Sequence, residues 1–591
     1  MIGSNLNNSL LGGININSEF YRQCLPFARG EVPAELVIRN ARVANVFSLE
    51  YEKVDVAIAR GIVVGLGPAY EGLENVDAAG KVLIPGMIDG HIHIESTMLT
   101  PHRFADSVAP RGTSAVMADP HEMANVWGKD GIVAMWKNAQ GLPLDFFWGA
   151  SSCVPASDFE TCRQPIGADA LAALLDDGTC QHLGEMMNYP AVIGGAADAW
   201  AKIAAAWGRP LTAHSPGVSG KDLCAYLLSG CNADHESFSY AEGLEKLRRG
   251  CWVMMRAGSA ACDLAALAPL VIEKPARSLR CMVVSDDLTP TTIETDGHMD
   301  AKMRSMCRLG IDPLVALRMI TLSPAEYFML PRRGGIAPGW IADLALVDSL
   351  ESCRVEKVWK QGRLVAKGGK LCDEIGGAFP VENLNSRPPV AVESIRVLAP
   401  PSKEKIRVIG WQSGSLLTES LCMEPRIESG MVVADPDGDV AKLVVAERNG
   451  KSGSVVVGFV SGMGLQFGAL GASVAHDAHP FIVAGVDDSS ILRALSWLRE
   501  NGGGFVACEG DRILASLPLP IGGLMSDANL KEVADALNEV DAAAAELGIE
   551  GAHPCMALSF LSLSVIPSLK LTDQGYVDLM QGGRQELFVD C

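Results

Sequence analysis

Short runs of alternating apolar residues, broken by Gly and Asn, occupy residues 34–86: AELVIRNARVANVFS, KVDVAIARGIVVGLG and KVLIPG. A period of two with turn residues between the runs predicts the strands of a small sheet. The same texture returns within residues 331–370, in GGIAPGWIADLALVD and VEKVWKQGRLVAKGG. Two such flanks around a long middle predict a small β-sandwich-like domain built from both, with the middle inserted as a domain of its own.

That middle, residues 87–330, has another rhythm. Eight apolar runs end in polar or ionisable residues: MIDGHIHI, SAVMADPHE, DFFWGASSC, CQHLGE, LTAHSP, NADHES, CWVMMRAGS and CMVVSDD. Segments with helical apolar spacing, such as ADAWAKIAAAWG and KDLCAYLLSG, lie between them. Eight strands alternating with helices is the count for a (β/α)8 TIM-type barrel, and the polar residues fall at the carboxyl ends, where such barrels carry their chemistry. The predicted class is therefore α/β. Gly, Pro and Asn dominate residues 371–401, which read as a linker. Residues 402–591 form a third, α/β region, with β runs KLVVAE and SVVVGFV and a helix at ANLKEVADALNEVDAAAAEL.

The ends of the chain and its composition narrow the class. Residues 1–33 read as an N-terminal extension. No Lys or Arg precedes Arg22, so the positive region of a secretory signal is missing. The apolar stretch at residues 555–566 lies between Pro554 and Pro567, is too short to span a bilayer and predicts a buried strand or helix. Over 591 residues, 48% hydrophobic and 20% charged, the chain reads as a soluble, multidomain and cytoplasmic protein. Lys and Arg number 49 against 70 Asp and Glu, a net charge of −21, which argues against nucleic-acid or anionic-membrane partners. The 16 cysteines form no CxxC pair and read as reduced thiols.

His91 and His93 stand at i and i+2 on a predicted strand, so both rings project from one face and can share a metal ion. His214, His235 and Asp286 each close a separate run. Four histidines and a carboxylate at a barrel mouth can bind two divalent ions if a further carboxylate bridges them. Glu185, closing CQHLGE, is the candidate bridge. His and carboxylate ligands suit Zn, Fe and Mn alike.

The string LIPGMIDGHIHIES resembles the amidohydrolase superfamily. PGMIDGHIHIESTMLTP, GTSAVMADPHEMANVWG and GEMMNYPAVIGG, with GASVAHDAHPFIVAG and LPLPIGGLMSD in the third region, resemble the bacterial-type adenine deaminases within it. The resemblance covers nearly the whole chain and makes residues 402–591 a C-terminal domain of that type. It implies that His91, His93 and Asp286 hold one metal and His214 and His235 the other. Glu185 bridges them in place of the carboxylated lysine of the cyclic-amide hydrolases. It further implies a metal-bound hydroxide attacking C6 of adenine, Asp286 carrying the proton to the leaving amine, and hypoxanthine and ammonia as products. Adenine as small-molecule partner and a homodimer or larger assembly follow from the same resemblance. The alternatives are another amidohydrolase, such as an amino-sugar deacetylase or a cyclic amide or amidine hydrolase, and an inactive barrel serving as a binding protein. The first lacks the DPHEMANVWG string and the long third region; the second should show lost ligands.

His121 and Glu122 follow the second run and are candidates for delivering a proton to the ring nitrogen beside C6, or else a loop-bracing pair. Asp287 is expected to turn away from the metal face by strand alternation. His182 and His102 read as structural. His476, Asp477 and His479 read as a local hydrogen-bond network more readily than as a lid or substrate contact, and least readily as a separate metal site. The zinc nucleobase deaminases of the other fold are excluded, because Pro554-Cys555 has no second cysteine two residues on.

Overall fold

The computed structural model describes residues 16–259, 261–380, 389–400, 405–412, 415–551 and 553–589. The first flank forms β1 (Ala34–Asn45), β2 (Glu50–Ala59), β3 (Ile62–Leu66), β4 (Gly72–Asp77) and β5 (Val82–Pro85). The barrel strands follow as β6 (Met87–His93), β7 (Thr113–Ala118), β8 (Asp145–Ala150), β9 (His182–Met186), β10 (Leu211–Ala213), β11 (Ala233–Asp234), β12 (Trp252–Arg256), β13 (Cys281–Val284) and β14 (Asp286–Asp287). The second flank supplies β15 (Leu344–Val347), β16 (Val355–Lys360), β17 (Arg363–Lys367) and β18 (Lys370–Leu371).

Neighbouring barrel strands pair in the order β13-β12-β11-β10-β9-β8-β7-β6-β14. The ring closes because β14 continues the eighth strand and pairs in parallel with the first, Asp286 opposite Ile92 and Asp287 opposite His93. Closure thus brings the HxH strand and the SDD strand side by side. The two flanks share one nine-stranded sheet, joined where β5 and β15 run antiparallel, Leu344 opposite Pro85.

The C-terminal region builds another nine-stranded sheet that includes Val440–Ala446, Val455–Ser461, Ala469–Ala472 and Phe481–Gly485. Helices Asp488–Glu500 and Leu530–Glu546 pack against it, the latter opened by an Asn529–Glu532 capping box. This region is fused to the barrel. One apolar core runs from Met123, Val126 and Trp148 to Val445, Phe505 and Ile521. Ser526 N–H donates to the Met98 carbonyl (2.8 Å) and Arg103 Nε to the Asp527 carbonyl (2.7 Å).

Three expectations change. The N-terminal extension contains a helix, Ser18–Ala28, capped by Asn17 and packed through Cys24 against Ala34, Val37 and Val64; residues 1–15 lie outside the described residues. The segment read as linker is partly built in: Ile395 is buried against the Asp488–Glu500 helix, and Val397–Leu398 pairs with Met431–Val433. Among the described residues fourteen cysteines are free, but Cys422 is disulfide-bonded. Among the described residues no helix is long and apolar enough to cross a membrane.

Candidate metal centre and active site

The site gathers at the carboxyl ends of the barrel strands. Alternation along β6 turns His91 and His93 inward while Ile92 packs into the apolar core. Glu185 is the penultimate residue of β9, and His214 and His235 stand just past β10 and β11. All five are buried, as is Asp286.

Glu185 is the hub. Its Oε1 lies 3.2 Å from His93 Nε2, 3.4 Å from His121 Nδ1 and 4.0 Å from His91 Nε2. Its Oε2 lies 2.7 Å from His214 Nδ1 and 3.3 Å from His235 Nε2. Asp286 Oδ1 sits 3.3 Å from His91 Nε2, 3.2 Å from His93 Nε2 and 4.0 Å from His235 Nε2. Asp119 anchors the hub from behind, accepting the Glu185 N–H (2.8 Å) and the Ser151 hydroxyl (2.9 Å). Residue 184 has to be Gly, since a Cβ there would stand 2.4 Å from Asp119 Oδ2.

A single contact shows what this cluster asks for. His93 Nδ1 lies 3.0 Å from the Asp119 carbonyl, which can only accept, so Nδ1 carries the hydrogen. Nε2 then presents a lone pair to two carboxylate oxygens at 3.2 Å. Acceptor facing acceptor in a buried site needs a proton or a cation between them. The proton alternative is visible in the electrostatics. Burial and His121 push His93 down, yet Asp286 and Glu185 outweigh both and hold it well above the usual imidazole range. Burial would raise Glu185, but His235 and His214 keep it well below the usual carboxylate range; for Asp286, His235, His91 and His93 do the same. His91 Nε2 is buried without a hydrogen-bond partner and faces Asp286 Oδ1 (3.3 Å) and Glu185 Oε1 (4.0 Å). Imidazole nitrogens directed at ionised carboxylates fit a borderline divalent cation.

Arg256 and Glu236, neither singled out in the sequence, belong to the cluster. Arg256 Nη1 donates to Glu236 Oε1 (2.5 Å) and Asp286 Oδ2 (3.2 Å), and Nη2 pairs with Asp263 (3.0 Å). Glu236 Oε1 is also 3.3 Å from His235 Nε2 and 3.7 Å from His214 Nδ1. The available signal was position: Arg256 closes the seventh run and Glu236 follows His235.

His121 and Glu122, at the start of helix His121–Trp127, face the same cavity. Burial, reinforced by the nearby Glu95 and Asp287 carboxylates, pushes Glu122 well above the usual carboxylate range. The Ser96 hydroxyl is shared between Glu122 Oε1 (3.0 Å) and Asp287 Oδ1 (2.5 Å).

Asp287 departs from expectation. It contacts Ser96 rather than the histidines, yet it lines the cavity beside Asp286. Asp286 has φ +59°, so the alternation of an extended strand does not hold at this step.

The HDxH segment, expected chiefly as a local network, also reaches the site. His476 and Asp477 line the cavity, and His476 Nδ1 and His479 Nε2 lie 3.6 Å and 3.8 Å from Glu122. Ala475 N–H donates to His479 Nδ1 (3.1 Å), which leaves Nε2 as a donor toward Glu122 rather than a metal ligand. His182 and His102 stay outside: His182 packs edge-on to Phe328, and His102 lies among Thr100, Asn138 and Asp527. Met187, Leu416, Phe560, Leu563 and Ile566 complete the cavity wall, most of them from the C-terminal region.

Residues 82–365 match the model of the amidohydrolase family, and residues 415–582 match that of the adenine deaminase C-terminal domain. The chain is 40% identical to an adenine deaminase of Kosmotoga olearia, over 96% of this chain and 98% of the relative. It is 43% identical to one of Nitratidesulfovibrio vulgaris (93% and 96%) and 40% identical to one of Methanothrix thermoacetophila (95% and 98%). Among solved structures, an N-isopropylammelide isopropylaminohydrolase of Burkholderia multivorans aligns over 57% of this chain and 99% of its own, at 20% identity and a TM-score of 0.43.

Proposed function

The chain belongs to the adenine deaminase family, and on that premise we propose that it hydrolyses adenine to hypoxanthine and ammonia. The observation that carries the reading is the convergence of His91, His93, His214, His235 and Asp286 on Glu185, inside a cavity closed by the C-terminal region.

His91, His93 and Asp286 would hold one divalent cation and His214 and His235 a second, with Glu185 between them. Manganese, iron and zinc all suit this set. Bound there, such ions act as Lewis acids that make water nucleophilic at neutral pH.

The chain's own groups do the rest. Asp286, kept ionised by His235, His91, His93 and Arg256, accepts a proton from the attacking water and returns it toward the leaving amine. Arg256 holds Asp286 Oδ2 so that Oδ1 stays turned to the histidines. Glu122, raised above the usual carboxylate range by burial and by Glu95 and Asp287, is matched to donating a proton to the ring nitrogen beside C6. His121, between Glu185 and Asp477, is the second group within reach of that face. Leu416, Phe560, Leu563 and Ile566 exclude bulk water and offer an apolar surface to a flat heterocycle. A cytoplasmic homodimer or larger assembly completes the reading.

The test is a panel of adenine, adenosine, N-acetylated amino sugars and cyclic amides assayed for hydrolysis products, with metal analysis of the same sample. Ammonia from adenine alone is expected. Metal-loaded protein that releases none from adenine refutes the assignment.

A further inference from the structure

The Asp477 carboxylate has no role in the chemistry above, yet it is buried in the cavity wall. It is only 3% exposed. Its Oδ1 lies 3.8 Å from both His121 Nε2 and His476 Nδ1, beyond hydrogen-bond reach, and its Oδ2 is buried with no hydrogen-bond partner. A buried carboxylate oxygen without a donor costs about 1–3 kcal/mol or more. Groups retained at that cost call for an occupant that satisfies them.

The carboxylate stands on a braced loop. His476 N–H donates to the Ser559 carbonyl (3.0 Å), the Ser562 hydroxyl donates to the His476 carbonyl (3.1 Å), and His479 N–H donates to the Ala475 carbonyl (2.8 Å). The His476 ring stacks on Phe560 at 4.6 Å with 7° between planes. Buried Lys570 ties the wall itself, donating to the carbonyls of Leu416 (2.8 Å) and Phe560 (3.2 Å). Asp477 is therefore presented to the cavity in a fixed position, as a recognition group should be.

From this we infer that Asp477 reads the imidazole-ring N–H of a free purine base and thereby selects the base over its nucleoside. The inference rests on the adenine reading and deepens it. Adenine carries two kinds of N–H donor, the C6 amine and the imidazole N–H. The amine end has to lie at the Glu185–Asp286 cluster, and His121 stands between that cluster and Asp477, so the donor left for Asp477 is the imidazole N–H. A nucleoside has a sugar on N9 in place of that hydrogen. Its hydroxyls would also meet Phe560, Leu563 and Ile566, whose side chains offer no polar partner. A site built to hydrogen-bond one group rejects analogues lacking it strongly, because its own polar atom is then left unpaired.

The experiment compares kcat/KM for adenine and 9-methyladenine at matched metal content in the wild-type protein, Asp477→Leu and Asp477→Asn. Leu fills a similar volume without an acceptor; Asn keeps an acceptor oxygen without the charge. Asp477→Leu should lose about 10- to 100-fold on adenine, the scale of a hydrogen bond to a charged group, and less than about threefold on 9-methyladenine. Asp477→Asn should fall between. Equal losses on both substrates in either variant would assign Asp477 to His121 or to the fold, and an unchanged preference would remove it from recognition. If Asp477→Leu fails to fold, the Asp477→Asn ratio decides alone. No ammonia from adenine in the wild-type protein would sink the deaminase reading, whereas wild-type turnover with an unchanged ratio in the variants sinks only the Asp477 assignment.

Discussion

Replacing Arg256 with Met tests how the carboxylates of this site are held. The guanidinium is buried and contacts Glu236, Asp286 and Asp263 at 2.5, 3.2 and 3.0 Å. Burial opposes its charge, but Glu236 and Asp286 together more than restore it and hold it above its ordinary value. Removing one partner of a buried ion pair costs about 3–5 kcal/mol, because the charge left behind has no compensation. Here the lower end applies: His235 remains 3.3 Å from Glu236 and His93 3.2 Å from Asp286, so both carboxylates keep an imidazole. A loss of about 3 kcal/mol corresponds to a fall in Tm of at most about 6–12 °C, the scale for about 150–250 residues, because the barrel shares its core with the C-terminal region. Divalent cations binding the folded state alone should recover part of that loss. Turnover should fall further than stability, since Asp286 loses the contact that aims it, and misplacement by about 1 Å costs on the order of a hundredfold. The assay is thermal unfolding with and without added Mn(II), alongside ammonia release from adenine. A metal-free Tm within about 2 °C of wild type, or a deficit that the metal leaves untouched, would refute the account.

Asp286→Asn should lower kcat by at least about a hundredfold with KM broadly kept, the scale for a positioned acid–base group. At equal metal loading Asp287→Asn should cost less, because its carboxylate meets Ser96 and not the histidines; the reverse order would transfer the proton role to Asp287. Glu185→Gln should lower metal content together with rate, read by elemental analysis; a variant keeping two ions and near-normal turnover would show that another group bridges them. Glu122, raised by burial and by Glu95 and Asp287, holds its proton to higher pH than an ordinary glutamate and loses it as pH climbs through that raised value. The rate should therefore decline on the alkaline side, and Glu122→Gln should remove that limb of the kcat/KM profile; an identical profile in the variant would place the titration elsewhere.

The barrel was legible because its signals are local. Strand alternation puts His91 and His93 on one face whatever surrounds them, and each apolar run ends where parallel strands feed a common rim. The polar terminal residues His214, His235, Glu185 and Asp286 were readable for the same reason. The contacts among them were not, since which strand adjoins which depends on closure, and closure brings Asp286 beside Ile92 only in three dimensions.

Arg256 was the hardest to read. A lone arginine ending a strand gives no hint that Glu236, Asp263 and Asp286 converge on it. Asp287 eluded alternation because Asp286 takes a left-handed backbone angle, which the extended-strand rule does not contain. His476 and Asp477 looked like a local network because their neighbours across the cavity, His121 and Glu122, lie far away in the chain. The side-chain types that gather at the rim are written in the sequence, residue by residue. Their protonation, their pairing and the wall that encloses them arise only when the C-terminal region packs onto the barrel rim, because burial and charge proximity are properties of the assembled volume and not of any local segment.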